Sequence, residues 1–268
     1  MESESTRQLA QGDLDGAIKS LSALLRQTPT DTTRRAQLAE ALCFAGALDR
    51  ADQHLEIVEQ QDPSTAIGVA LFRQLIRAEE ARQQFYASGR VPAFVATPSE
   101  HDQMYLKALA ALKEGAGAEA AHLVAEAENT RTPQAGVLDG QPFDDLRDLD
   151  DIVASHFDVL TSTGKFYWIP IRQIDSVTFH PPQRQRDLLW RRATLEVRGG
   201  PSGEVFIPAV YPPTGPPLTG TLQLAQQTDF IGDGADSPVR GRGQRSFLVS
   251  DRAQPILDIQ RIEFVGAV

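Results

Sequence analysis

Residues 165–211 read KFYWIPIRQIDSVTFHPPQRQRDLLWRRATLEVRGGPSGEVFIPAVY, and this stretch decides the fold of the second half of the chain. It contains both tryptophans of the protein, Trp168 and Trp190. Apolar and polar residues alternate along 193–197, which predicts a half-buried strand. Glycines and a proline follow before the apolar segment 205–207, so the two segments are predicted to form a β-hairpin.

Further strand signals surround this hairpin. Pro170 lies in a run that is apolar on both faces, and because proline donates no backbone hydrogen bond it predicts a sheet edge or a bulge. Segments 246–249 and 259–265 also resemble strands, whereas 218–225 fits either a helix or a strand. The second half is therefore predicted to contain a mostly antiparallel sheet.

The first half carries a repeat instead. Apolar residues recur at helical spacing in the segments 9–29 and 39–63. The segments align at an offset of 34 residues, with these matches: Gly12 with Gly46, Leu14 with Leu48, Ala17 with Ala51, Leu21 with Leu55, and Pro29 with Pro63. Glycine permits a turn, alanine a close approach of helices, and proline a helix end. This period predicts tetratricopeptide-like helix pairs.

More helices follow the repeat. The runs 64–86, 102–113 and 118–128 have helical apolar stripes, and Ser99 is a candidate N-cap for the second of them. About six antiparallel helices are expected in total. Because a repeat stack cannot bury its own end faces, the following domain is expected to cap it.

Turn-forming residues replace helix-forming ones at 129–143, and we place a domain boundary near Pro133. The predicted fold class is α+β. An N-terminal α-helical, tetratricopeptide-like repeat domain at 1–133 precedes a smaller mixed α/β domain at 134–268 with a mostly antiparallel sheet.

Composition excludes several classes of protein. The net charge is −10, which argues against a nucleic-acid binder because phosphate contacts need clustered cations. Cys43 is the single cysteine, so no intrachain disulfide or cysteine-based zinc site is possible. The N-terminus lacks secretion-signal features, and no apolar run is long enough to span a membrane. We expect a cytoplasmic protein that binds neither membrane nor nucleic acid.

The acidity is concentrated between Asp139 and Asp158, which enclose seven aspartates and one arginine. The apolar spacing of 143–160 predicts a helix. Four carboxylates fall within two turns of it: Asp144, Asp145, Asp148 and Asp151. A solvated helix face is the favoured interpretation. A metal site lacks the alternating pattern of a calcium loop, and an acidic face that pairs with arginines of this chain or of a partner remains open.

One basic cluster contains Arg240, Arg242 and Arg245, in the glycine-containing sequence PVRGRGQR. It is predicted to be a mobile loop, or alternatively a grip for carboxylates or phosphates. Trp190 and Arg191 combine two residue types that are frequent at interface centres, although large aromatic residues are also typical of cores.

Catalytic patterns are missing from the sequence. The five histidines lie in different elements without ligand spacing, and no HExxH, GxSxG, P-loop or GxGxxG motif occurs. Cys43 is predicted to be a buried structural thiol. We therefore expect a protein that is not an enzyme and that needs no cofactor or metal.

Four motifs are specific enough to indicate a family: GKFYWIP at 164–170, DLLWRRA at 187–193, VFIPAVY at 205–211 and GRGQRSFLVSD at 241–251. Placed after FDDLRDLDD and an alanine-rich helical half, they resemble the ImpE/TagJ family, also called SciE-type, of type VI secretion accessory proteins. The resemblance covers nearly the whole chain.

The resemblance implies a cytoplasmic adaptor that binds an amphipathic helix of the contractile sheath subunit, and through it is linked to the AAA+ ATPase that recycles the sheath. Partner contacts are predicted at these residues: Trp190, Arg191, Asp144, Asp145, Asp148, Arg240, Arg242 and Arg245. The alternatives are a metal-dependent or anion-binding enzyme, with Asp144, Asp145 and Asp148 as ligands, and a regulator that binds an acidic or phosphorylated partner through the arginines.

Overall fold

The computed structural model describes residues 3–265, and their first half is helical. The helices are α1 (Glu4–Ala10), α2 (Leu14–Gln27), α3 (Thr32–Phe44), α4 (Leu48–Gln61), α5 (Ala66–Ser88), α6 (Glu100–Lys113) and α7 (Gly117–Thr130). Helices α1 to α4 are the two predicted repeats, and α6 and α7 form a further antiparallel pair. The repeat prediction is confirmed.

Local sequence explains where these helices begin and turn. Gly12 and Gly46 have φ values of +81° and +71°, a left-handed conformation that only glycine adopts readily. Asp13 caps α2 by accepting a hydrogen bond from the Gly16 backbone N–H. Ser99 caps α6 in a reciprocal capping box with Asp102, as the sequence predicted.

The second half is built from short strands. They are β1 (Gly136–Leu138), β2 (Gln141–Phe143), β3 (Leu146–Asp148), β4 (His156–Leu160), β5 (Phe166–Pro170), β6 (Ile174–Phe179), β7 (Trp190–Val197), β8 (Ser202–Pro208), β9 (Thr228–Ile231), β10 (Arg240–Gly243), β11 (Ser246–Val249), β12 (Arg252–Pro255) and β13 (Arg261–Phe264). A short helix, α8 (Gly220–Gln223), precedes β9.

The main sheet has eight strands in the order β2-β1-β13-β6-β7-β8-β4-β5, with antiparallel pairing between neighbours. Strands β12, β11 and β3 form a second sheet, and β9 pairs with β10. The predicted hairpin is β7-β8, and Pro170 ends the edge strand β5. Ala93 covers that edge, because its backbone N–H donates to the Phe166 carbonyl at 3.0 Å and its carbonyl accepts from the Trp168 N–H.

The helix predicted at 143–160 is wrong. The structure has β3, a 3₁₀ turn at Asp151–Val153 and β4 there instead. All five residues of β4 are buried, so this strand is covered on both faces. Apolar residues of short strands separated by a turn reproduced a helical spacing by chance, and tertiary packing overrode it.

Helix α5 connects the two halves, because it packs on the main sheet as well as on the repeats. Phe72 of α5 meets Trp190 edge-on with ring centroids 6.0 Å apart, and Phe85 lies 5.4 Å from Trp168. One hydrophobic core contains helix residues and both tryptophans, while a second lies on the other side of the sheet. The domain boundary near Pro133 stays a prediction; α7 ends at Thr130 and β1 begins at Gly136.

Candidate functional site

The aspartate run and the arginine cluster meet each other inside the protein. The guanidinium of Arg245 donates to the Asp148 carboxylate, and Arg240 Nε donates to Asp150 Oδ2 at 2.9 Å. These four side chains are buried. Burial alone would lower the pKa of Arg245, but Asp148 and Asp158 together outweigh it and raise that pKa. The structure therefore shows that aspartates of the acidic run pair with arginines of this chain, which the sequence left as one alternative.

This arrangement corrects two expectations. Arg240 lies in β10 rather than in a mobile loop, and Asp148 ends a buried strand rather than lying on a solvated helix face. The physical reason is long-range neutralisation, since a buried charge needs a partner and each aspartate meets an arginine more than 80 residues further along the chain. In this conformation Asp148, Arg240 and Arg245 offer no atoms to a partner.

The remaining members of the two clusters differ in exposure. Asp145 is half-buried and forms an ion pair with Arg131, whereas Asp144 is exposed. Arg242 is half-buried and donates to the Pro216 carbonyl at 2.8 Å. Among the described residues no group of three or more histidine, cysteine or carboxylate side chains is placed to hold a metal ion.

Trp190 and Arg191 are core residues, which corrects the prediction of a surface role. Trp190 is 1% exposed, and its indole N–H donates to Glu79 Oε2 at 3.1 Å. Arg191 lies 4.7 Å from the centroid of the Phe179 ring and donates to the Ile256 carbonyl. The aromatic and cationic pair therefore stabilises the sheet, and it does not face solvent.

A buried network of charges fastens α5 to the main sheet. Arg82 Nε donates to Asp158 Oδ2 at 2.7 Å, and its Nη1 donates to Glu79 at 3.1 Å. Tyr86 donates to the other oxygen of Asp158 at 2.8 Å. Burial alone would lower the pKa of Arg82, but Glu79 and Asp158 outweigh it and raise that pKa. The charges in this network are matched within the chain.

Asp102 makes a second connection between the halves. Besides capping α6, it accepts hydrogen bonds from Arg172 and from Nε2 of His156, at 2.7 and 3.1 Å. Burial would raise the pKa of Asp102, yet these partners hold it well below its usual range. His156 stacks on Trp168 with ring centroids 3.7 Å apart, and burial lowers the pKa of the imidazole.

A cavity of considerable size lies elsewhere, on the face of the repeats formed by α1, α3 and α5. This groove encloses about 760 Å³ between α1, α3 and α5, and the loop 183–186 from the second half closes one side. The groove combines apolar residues with threonine, serine and charged side chains. Its lining includes Ser5, Thr6, Leu9, Thr32, Thr33, Ala36, Gln37, Glu40, Asp62, Thr65, Gly68, Val69, Phe72, Arg184 and Arg186.

Charged side chains in the groove do not form ion pairs like those in the core. The Arg186 guanidinium lies 4.5 Å from the centroid of the Phe72 ring, and burial lowers its pKa. Burial raises the pKa of Glu40 to about 7, although Arg186 and Arg184 act in the opposite direction. Within residues 3–265, neither Glu40 nor these two arginines take part in a side-chain ion pair.

The rim of the groove at the start of α5 is polar and open. Asp62, Ser64 and Thr65 line it, and Gly68 follows on the same face of the helix. Ile67 is 88% exposed but lies outside this lining. A methyl group added to Gly68 would have no atom within 4 Å. No sequence signal singled out Glu40 or Arg186. The repeat alone predicts a groove but does not say which loop closes it.

Comparison with known proteins agrees with both halves of this architecture. Residues 8–75 match the tetratricopeptide repeat model, and residues 140–263 match the family model described as ImpE protein. The second half of the chain resembles the ImpE family.

Two relatives extend the ImpE comparison over nearly the whole chain. The "Type VI secretion system accessory component TagJ" of Pseudomonas aeruginosa is 28% identical over 256 residues, which cover 96% of this chain and 89% of that protein. A Vibrio parahaemolyticus protein solved by X-ray crystallography superposes with a TM-score of 0.91 at 23% identity and covers 99% of both chains. The crystal structure supports the fold alone. Within the described part of the chain, no helix has the length and apolar character needed to cross a bilayer.

Proposed function

We propose that this protein is a non-enzymatic accessory protein of bacterial type VI secretion, and that its groove holds an amphipathic helix of the contractile sheath subunit. Acting in the cytoplasm, it would link that subunit to sheath assembly or to recycling by the AAA+ ATPase. The observation that carries the proposal is the open groove of the repeats, with an apolar floor and a charged rim.

The groove suits a helix for physical reasons. A bound amphipathic helix lays an apolar stripe into an apolar groove, and charged side chains at the rim select its orientation. Val69 and Phe72 of α5, together with Leu21, Leu55 and Val58 of the repeats, supply the apolar floor. The relative named as a type VI secretion accessory component supports the choice of system.

By contrast, the buried arginines and aspartates of the second half already form ion pairs with each other. Asp148, Arg240 and Arg245 neutralise charges inside the chain, so they support the core rather than a substrate. No observation favours the enzyme alternative, and the groove is the better candidate for partner binding.

Gly68→Leu tests the proposal directly. Gly68 lies in α5 with open space at the Cβ position, so a leucine there fills the groove without an internal clash. Leucine also has the higher helix propensity, so the fold should be retained. We expect affinity for the sheath subunit, measured by calorimetry, to fall by about tenfold or more, since a blocked anchor site costs more than about 1.4 kcal/mol.

Ala70→Leu is the matched control, because Ala70 is exposed on the same helix and does not line the groove. Its affinity should equal that of the wild type. Absence of binding between the wild-type protein and a folded sheath subunit would overturn the proposed partner. Binding that Gly68→Leu leaves unchanged would instead overturn the groove as the binding site.

A further inference from the structure

The wall of the groove at residues 183–186 carries positive charge that the chain itself does not neutralise. Arg186 is half-buried and Arg184 is exposed, and both belong to the loop that closes the groove. The nearby Asp187 carboxylate instead accepts hydrogen bonds from the backbone N–H groups of Gln183 and Arg184, at 2.8 and 3.0 Å. The loop thus uses its own carboxylate to hold its backbone.

Several buried arginines elsewhere in the chain have a carboxylate partner. Arg82 has the Asp158 carboxylate at 2.7 Å, and Arg240 has Asp150 at 2.9 Å. Arg186 instead lies over the face of Phe72, and the nearby Glu40 and Asp187 form no ion pair with it. A guanidinium over an aromatic ring keeps its five donor groups free for a planar acceptor, and carboxylate fits that geometry in a bidentate manner.

Glu40 does not neutralise this wall. It faces Arg184, Arg186 and Asp187 from α3, with Cys43 on its own helix, and Asp62 lines the groove beyond it. Because burial raises the pKa of Glu40 to about 7, a substantial fraction of this side chain is uncharged at neutral pH. Arg184 and Arg186 therefore face Asp187, whose carboxylate already holds backbone N–H groups, and a Glu40 side chain that is partly uncharged.

We propose that the helix bound in the groove presents an aspartate or glutamate side chain to Arg186, with Arg184 as a second contact at the rim. This inference rests on the proposed function and names the chemistry of the bound helix. Its apolar stripe covers Val69 and Phe72, and its carboxylate pairs with the guanidinium groups where the loop closes the groove. Shielding from water by the groove strengthens that pairing relative to an exposed ion pair.

Charge reversal with a swap on the partner is the decisive experiment. The full-length protein is titrated with the amphipathic helix of the sheath subunit fused to an inert carrier. We expect Arg186→Glu to weaken binding by about tenfold or more, and Arg184→Glu by less because that side chain is exposed. Arg77→Glu, at an exposed position of α5 outside the groove lining, is the control and should stay within about twofold.

Each acidic residue of the sheath helix is then replaced in turn by lysine. One replacement is expected to weaken binding to the wild type and restore binding to Arg186→Glu. Arg186→Met, which removes the charge without introducing repulsion, should lie between the wild type and Arg186→Glu. Wild-type binding that neither Arg186 variant affects would overturn the carboxylate contact and leave the proposed function standing, whereas absence of wild-type binding removes both.

The pH dependence separates this inference from its opposite, in which Glu40 binds a lysine or arginine of the helix. Protonation of Glu40 removes the internal competitor for Arg186, so affinity should rise as the pH falls from 8 to 6 while the partner's carboxylate stays ionised. Glu40→Gln should bind at least as tightly as the wild type at pH 8 and lose this dependence. Weaker binding by Glu40→Gln, together with affinity that falls on acidification, would establish the cationic contact instead.

Discussion

The contact between α5 and the main sheet and the groove of the repeats contain the same types of charged residue in opposite arrangements. At the contact, Arg82 is buried between Asp158 and Glu79, and Tyr86 fills a further acceptor position. In the groove, Arg186 and Glu40 face each other without an ion pair. Matched charges hold two halves of a chain together, whereas unmatched charges in a cavity leave an interaction for a partner to complete.

The largest expected effect comes from breaking the matched network. Arg82→Met leaves two buried carboxylates without their cation and should lower the free energy of unfolding by about 3–5 kcal/mol. Arg186→Met is the same substitution in the groove. It should change the free energy of unfolding by less than about 1 kcal/mol. Urea unfolding followed by circular dichroism measures both. Equal costs for the two variants would show that the groove arginine is structural as well.

Two glycines provide a comparison of intermediate size. Gly12 has a φ of +81°, and a Cβ there would lie 3.1 Å from the Thr221 side chain, where α8 covers the turn between α1 and α2. Gly12→Ala should therefore destabilise the protein by about 1–2 kcal/mol. Gly68→Ala should stabilise it by about 0.5–1 kcal/mol, because it lies in a helix with open space.

The same unfolding measurements distinguish these two variants. A loss of stability in Gly68→Ala would show that the groove is less open at this position than the structure indicates. Tolerance of Gly12→Ala would mean that the turn and α8 can move apart at little cost.

The smallest effect is the pH dependence that Glu40 contributes. Burial raises the pKa of Glu40 from 4.5 to about 7 in the folded protein, so the fold favours the protonated side chain. The folded state therefore loses stability as the pH rises from 4.5 to about 7. Relative to Glu40→Gln, the wild type should be less stable at pH 8, by about 1 kcal/mol or less because the side chain is partly solvated. The difference should disappear near pH 4, and thermal melts at several pH values measure it.

Local signals explain which predictions succeeded. Gly12 and Gly46 mark turns whose positive φ is a property of the residue itself, and Ser99 with Asp102 forms a cap within four residues. The alternation of apolar and polar residues in 193–197 indicates a strand with one buried face. Pro170 lacks a backbone N–H donor, which indicates the edge of a sheet. Each of these signals acts over a few residues, so neighbours in the sequence were enough to predict it.

The site was predicted less well, for a physical reason. Asp148 and Arg245 are paired across nearly 100 residues, and nothing near either one shows that the other will neutralise it. In the sequence alone, Asp148 and Arg245 each resemble an exposed charged residue. Trp190 likewise appeared to be an interface residue because the burial of an aromatic side chain depends on which helix lies over it.

The sequence by itself determined the repeated helix pairs, the antiparallel sheet and the resemblance to a family, because periodicity, turn residues and motifs are properties of short segments. Tertiary structure alone decided which charged residues form ion pairs inside the core and which lie in the groove without an ion pair. The groove is completed by residues 183–186, more than 100 residues after Val69 and Phe72 of its floor. Only packing of the sheet against α3 and α5 brings Arg186 over Phe72. Whether a charge is neutralised depends on distances in space, and the order of residues along the chain does not contain them.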